Sequence, residues 1–141
     1  MWHRQFSDRL SSWTELRTTC AQLPVEQSLA NINKWWFNAP WTPYHLHWDE
    51  QQDWPDPWQL LSDNVYCPLA RGLGILYTIA MLDRADLQNI CMVEYFGDNL
   101  VLVNGEKYIL NWDPDQIVNI SLGTINSRRR VSQEQIKQKI R

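Results

Sequence analysis

A change of hydrophobic period most constrains what this chain can fold into. Through residue 82 the apolar residues recur at helical spacing. From Ile90 they alternate with a period of two, in "ICMVEYF", "LVLV", "KYILNW" and "IVNISL". Helices first and strands afterwards imply an α+β fold, with N-terminal helices, a central core helix and a four-stranded antiparallel meander. "GDN", "NG" and "DPDQ" separate the four strands, and Asn104-Gly105 is a strong hairpin signal.

The helical half divides at its prolines. Residues 3–20 place Phe6, Leu10, Trp13, Leu16 and Cys20 on one stripe. Pro24 opens a second helix whose apolar face holds Leu29, Ile32, Trp36 and Val25, and Asn38-Ala39-Pro40 ends it. Pro57 starts a short helix, "PWQLLSD". The core helix follows Pro68, with Leu69, Leu73, Leu76, Tyr77, Ala80 and Met81 as its buried stripe. Gly72 and Gly74 each cost that helix about 1 kcal/mol against alanine, so a close neighbour is expected beside them.

At 141 residues the chain suits a single domain, expected over 1–123, with a tail over 124–141. In the tail Ser132 and Gln135 have the spacing of a capping box. Its few apolar residues predict a short helix that frays or docks on a partner. The net charge of -3 argues against a general nucleic-acid binder. Three cysteines, Cys20, Cys67 and Cys91, form neither a CxxC motif nor a disulfide framework, so a reducing setting is expected. The opening "MWHRQFSDRL" lacks the apolar core of a secretory signal. "GLGILYTIAML" is too short to span a bilayer. A soluble, intracellular protein is the expectation.

Nine tryptophans are an unusual load for this length, and five lie between Trp35 and Trp54. Residues 38–58 also hold four of the seven prolines and neither Lys nor Arg. Such a stretch predicts an ordered, irregular belt rather than disorder. Its indoles fill a core, face a partner or stack on a sugar. The acidic group Asp49, Glu50, Asp53 and Asp56 lacks calcium-loop spacing, and a solvated loop is the simpler reading.

Cys67 heads the core helix in "DNVYCPLARGLG", where unpaired N–H groups favour a thiolate. A thiol there, followed by antiparallel strands, resembles the transglutaminase-like and papain-like framework over residues 63–115. In that family the cysteine begins the core helix, and a histidine and an aspartate lie on following strands. "YILNWDP" is similar to the phrase that carries the aspartate, which makes Asp113 the orienting carboxylate by resemblance. The chain departs from the family at the histidine: His3, His45 and His47 all precede Cys67. A catalytic set would therefore need Cys67, Asp113 and His45 or His47, as in permuted relatives with the histidine upstream. His45 and His47 with one cysteine form no recognisable metal pattern. Cys67 as an inert buried thiol is the stronger expectation.

"WPDPWQLLSDNVYCPLARGLGILYTI" also resembles small proteins of tailed, particularly contractile-tailed, bacteriophages. The resemblance implies a virion structural or assembly protein of tail, baseplate or neck, found in the virion and, during assembly, in the host cytoplasm. Other virion subunits would be its partners, with no cofactor, metal, membrane, specific nucleic acid or small-molecule substrate, and no enzyme activity. Partner contacts are expected from Trp35 and Trp36 just before the belt, from Trp41, Trp48, Trp54 and Trp58 within it, and from Arg128, Arg129 and Arg130 of the tail. The alternatives are a small cysteine hydrolase or acyltransferase and a carbohydrate or peptidoglycan binder.

Overall fold

The fold is organised around helix α4, Pro68–Leu82. Proline at its first position loses no bonded N–H, and Cys67 caps it by accepting the Ala70 N–H. Asp83, with φ 50°, ends it in the left-handed region. Burial runs nearly all round, from Leu69 through Ile79, so α4 is covered on every side. The computed structural model describes residues 2–43, 45–118 and 128–140.

Three helices cover one side of α4: α1 (Phe6–Cys20), α2 (Val25–Phe37) and α3 (Pro57–Asp63). Asp56 caps α3 by accepting the Gln59 N–H at 2.8 Å. The two glycines of α4 mark where neighbours come closest. A methyl group at Gly74 would lie 2.5 Å from the Trp36 ring, and one at Gly72 would lie 2.5 Å from Met92 Sδ. Helix α2 therefore packs against backbone at Gly74, and the sheet does the same at Gly72.

The α1 stripe differs from the sequence reading. Trp13 and Cys20 are fully buried, but Phe6 is exposed and Arg9 is buried instead. The Arg9 guanidinium donates to the carbonyls of Leu61 and Ser62 at the end of α3 and to those of His3 and Arg4. A helix end leaves carbonyls without partners, and one planar fork of donors satisfies several of them. A hydrophobic pattern carries no signal for such a side chain.

The sheet has five strands in the order β4-β3-β2-β1-β5, each pair antiparallel. The strands are β1 (Cys91–Tyr95), β2 (Asp98–Val103), β3 (Tyr108–Asp113), β4 (Gln116–Val118) and β5 (Arg130–Ser132). Met92, Val101, Val103, Leu110 and Val131 belong to the main core with α4. Val93, Leu100, Leu102 and Ile109 form a second apolar cluster, as alternation along a strand requires. The α+β class and the meander are as expected, with one strand more. The expected strand "IVNISL" is described only as far as Val118, and its remainder lies outside the described residues.

The extra strand corrects the picture of the tail. Residues 130–132 pair with β1, and α5 (Gln133–Ile140) packs on α4, with Val131 and Ile136 buried. The tail thus docks on its own domain. The capping box forms, with Ser132 N–H to Gln135 Oε1 at 2.8 Å and Gln135 N–H to Ser132 Oγ at 3.3 Å. Three paired residues and one fully buried helical residue are too few to register as a periodic pattern.

Candidate functional site

Cys67 is 2% exposed, and its sulfur accepts two backbone N–H groups. Ala70 of the first turn of α4 donates one and Leu46 of the belt the other, each at 3.4 Å. Leu46 lies between the two histidines proposed from sequence. The belt therefore reaches the thiol with its backbone, while the His45 and His47 side chains are exposed. Among the described residues neither imidazole makes a hydrogen bond. His47 contributes its carbonyl, which accepts the Trp54 indole N–H at 2.9 Å.

Asp113 is similarly engaged elsewhere. Its carboxylate accepts the Asp115 N–H at 2.8 Å and holds the β3–β4 turn, while its carbonyl accepts from Asn33. The structure does not assemble Cys67, His45 or His47 and Asp113 into one hydrogen-bonded set.

Beside the first turn of α4 lies an amide network that the sequence reading missed. Asn111, buried at φ 70°, donates to the carbonyls of Pro68 at 3.0 Å and Asn99 at 2.7 Å. Its side-chain Oδ1 accepts from Arg71 at 2.6 Å, and its backbone N–H donates to Asn33 Oδ1 at 3.0 Å. Trp48 donates to Asn99 Oδ1 at 2.8 Å. Burial pushes the Arg71 guanidinium below its ordinary value, and the cation lies 3.8 Å from the centre of the Phe37 ring. Amides neither give nor take protons near neutrality, so these asparagines orient and join but supply no acid or base. The available signal was an asparagine next to apolar residues, Asn33 in "INKWW" and Asn111 in "YILNW".

The indoles proposed as partner contacts divide in two. Trp36, Trp48 and Trp54 are buried, with N–H groups on Thr78, Asn99 and His47. They pack the interior, a correction to their expected role on the surface. Trp35 is half-buried and donates to Ser12 Oγ at 3.1 Å. Trp41 and Trp58 are 65% and 40% exposed. Trp48 and Trp54 meet edge to face at 71° inside the fold, so they offer no flat stacking platform. Arg128, Arg129 and Arg130 are exposed; Arg129 lies 3.9 Å from Asp49, and Arg130 donates to Cys91 Sγ at 3.2 Å. Among the described residues no three His, Cys, Asp or Glu side chains converge in a metal-binding group. No helix there is long and apolar enough to cross a membrane.

Comparison with known protein families, curated proteins and solved structures finds no match to this chain.

Proposed function

We propose that this chain is a structural or assembly protein of a tailed-phage virion, a tail, baseplate or neck component that acts through protein–protein contacts. The observation that carries the reading is the state of Cys67. The thiol at the head of a resembled catalytic framework is buried and bonded by two backbone amides, with an amide network beside it. A framework organised for cohesion there leaves function to its surface. That surface carries large aromatics in contact with water: Trp41, Trp58 and Phe96, the last 89% exposed. Exposed aromatics of this size are the residues that anchor interfaces. The virion assignment itself rests on the resemblance of residues 54–79 to tailed-phage proteins.

The test is composition of purified particles from the phage that encodes the chain. A fixed copy number per particle is expected, and absence from particles would overturn the reading. One observation favours the second reading, a hydrolase or acyltransferase at Cys67: the sulfur stands at the head of a helix and accepts two backbone N–H groups. Alkylation of the native protein against pH, with Cys67→Ser as control, separates the two. The assembly reading expects no labelling of Cys67 before unfolding. Fast labelling with an apparent pKa below that of a free thiol would favour catalysis.

A further inference from the structure

The belt is pinned at both ends and clasped between them. At one end the Thr42 N–H donates to the Tyr66 carbonyl at 2.8 Å. At the other the Tyr77 hydroxyl donates to the Pro55 carbonyl at 2.6 Å. Between these points the chain packs largely on itself. Trp48 and Trp54 meet edge to face with ring centres 5.3 Å apart, and the His47 carbonyl accepts the Trp54 indole N–H. Those two indoles are the buried residues among the ones described from 41 to 54. A pinned loop filled by its own side chains, with little else buried, opens as a unit at low cost.

The contacts that hold it down lie on three parts of the domain. The Leu46 N–H donates to Cys67 Sγ at 3.4 Å, a long bond to a weak acceptor. Trp48 Nε1 donates to Asn99 Oδ1 of β2 at 2.8 Å. Lys139 Nζ, in the last turn of α5, donates to the Gln51 carbonyl at 3.0 Å across 88 positions of chain. That carbonyl also accepts the Trp54 N–H at 3.2 Å, at the C-terminal end of the short 3-10 helix Trp48–Asp53, where a cation is favoured. The lysine bond is charge-assisted, and such bonds are stronger than neutral ones. Arg129, 3.9 Å from Asp49 with both side chains exposed, adds little.

We propose that residues 45–54 form a lid over Cys67 and that Lys139 is its latch. Access to the thiol is then governed by the docking of the C-terminal helix. The inference is independent of the assembly reading, since a packed thiol and a reactive one lie under the same lid.

Cys20 supplies the internal reference for a test. It is fully buried in α1, and its thiol donates to the Ser28 carbonyl, away from the belt. Alkylation of the native protein with iodoacetamide, each cysteine followed separately by peptide mass, reads both thiols in one sample. Global unfolding exposes both, so an excess at Cys67 over Cys20 reports the lid alone. Lys139→Met keeps the aliphatic stem and removes the donor. It is expected to raise the rate at Cys67 roughly fivefold or more relative to Cys20. Lys139→Arg retains a charged donor and should bring the ratio back toward that of the wild type. Trp48→Phe, which takes the indole N–H from Asn99, should raise the ratio as well. Equal change at the two thiols in Lys139→Met, or no change at either, overturns the inference. An excess confined to Trp48→Phe overturns it too, because the loop would then be a lid that Lys139 does not latch.

Discussion

The two ends of helix α4 both bury polar atoms, and they use them differently. Near its C-terminal end a single hydroxyl serves two indoles. Thr78 Oγ1 accepts from Trp13 Nε1 at 2.9 Å and Trp36 Nε1 at 3.0 Å, and donates to the Gly74 carbonyl at 2.7 Å. Helices α1, α2 and α4 therefore meet on one oxygen. At the N-terminal end Asn111 plays the joining role between α2, α4, β2 and β3, and the Cys67 sulfur caps the helix and holds one N–H of the belt. What differs is the strength of the bonds lost: Thr78 Oγ1 holds two indole N–H groups at 2.9 and 3.0 Å, whereas the Cys67 sulfur, a weak acceptor, holds two backbone N–H groups at 3.4 Å.

That difference orders the expected effects. Thr78→Val keeps the side chain's shape and strands two indole N–H groups, for an expected loss of about 2–5 kcal/mol by chemical denaturation. Thr78→Ser restores the hydroxyl and should recover most of that loss; equal instability of the two variants would show that packing, not the acceptor, matters. Asn111→Ala should cost about 2–4 kcal/mol, since it leaves the Arg71 donor and two carbonyls unpaired. Gly74→Ala forces a methyl into the Trp36 ring and should cost about 1–3 kcal/mol, with a change in tryptophan fluorescence marking the displaced indole. The smallest effect is expected at the thiol: Cys67→Ser should change stability by less than about 1 kcal/mol. A loss there matching that of Thr78→Val would break the contrast between the two ends.

Alkaline pH offers a check on the surrounding core. Burial raises the Cys20 thiol above its ordinary value, against opposing effects from Arg84 and Ser28, and burial likewise raises Tyr66 and Tyr77. Each group favours the folded state while protonated. The stability they contribute is fully present below the ordinary values, near 9.0 for the thiol and 10.0 for the tyrosines, and is lost as pH rises through the folded values. Denaturation midpoints should fall steadily from about pH 9 upward, and a flat profile would mean these groups are not buried in solution.

Legibility from sequence tracked the length of each pattern. Helix α4 was visible because Pro68 and a long apolar run agree, and the β1–β3 meander because alternation and Asn104-Gly105 agree. The short helix α3 was visible from Pro57, and the capping box of α5 from Ser132 and Gln135. Strand β5 was not, because three residues hold no period. Arg9 was not, because two of its partner carbonyls, on Leu61 and Ser62, are 52 and 53 positions away in the chain. The candidate site was legible at Cys67, whose place at the head of a helix follows from Cys-Pro. The amide network was invisible, since Asn33, Asn99 and Asn111 meet only once two strands and two helices are assembled.

By itself the sequence determined the order of helices and strands, the position of the thiol and the tryptophan load, all properties of local period and composition. Only the tertiary structure decided which indoles are interior and which meet water, and whether the belt reaches Cys67 by imidazole or by backbone. An indole N–H must find an acceptor once buried, and for Trp13 and Trp36 that acceptor is Thr78, 65 and 42 residues away. No local pattern encodes a partner at such separations; close packing does, by leaving one arrangement in which every buried donor is met.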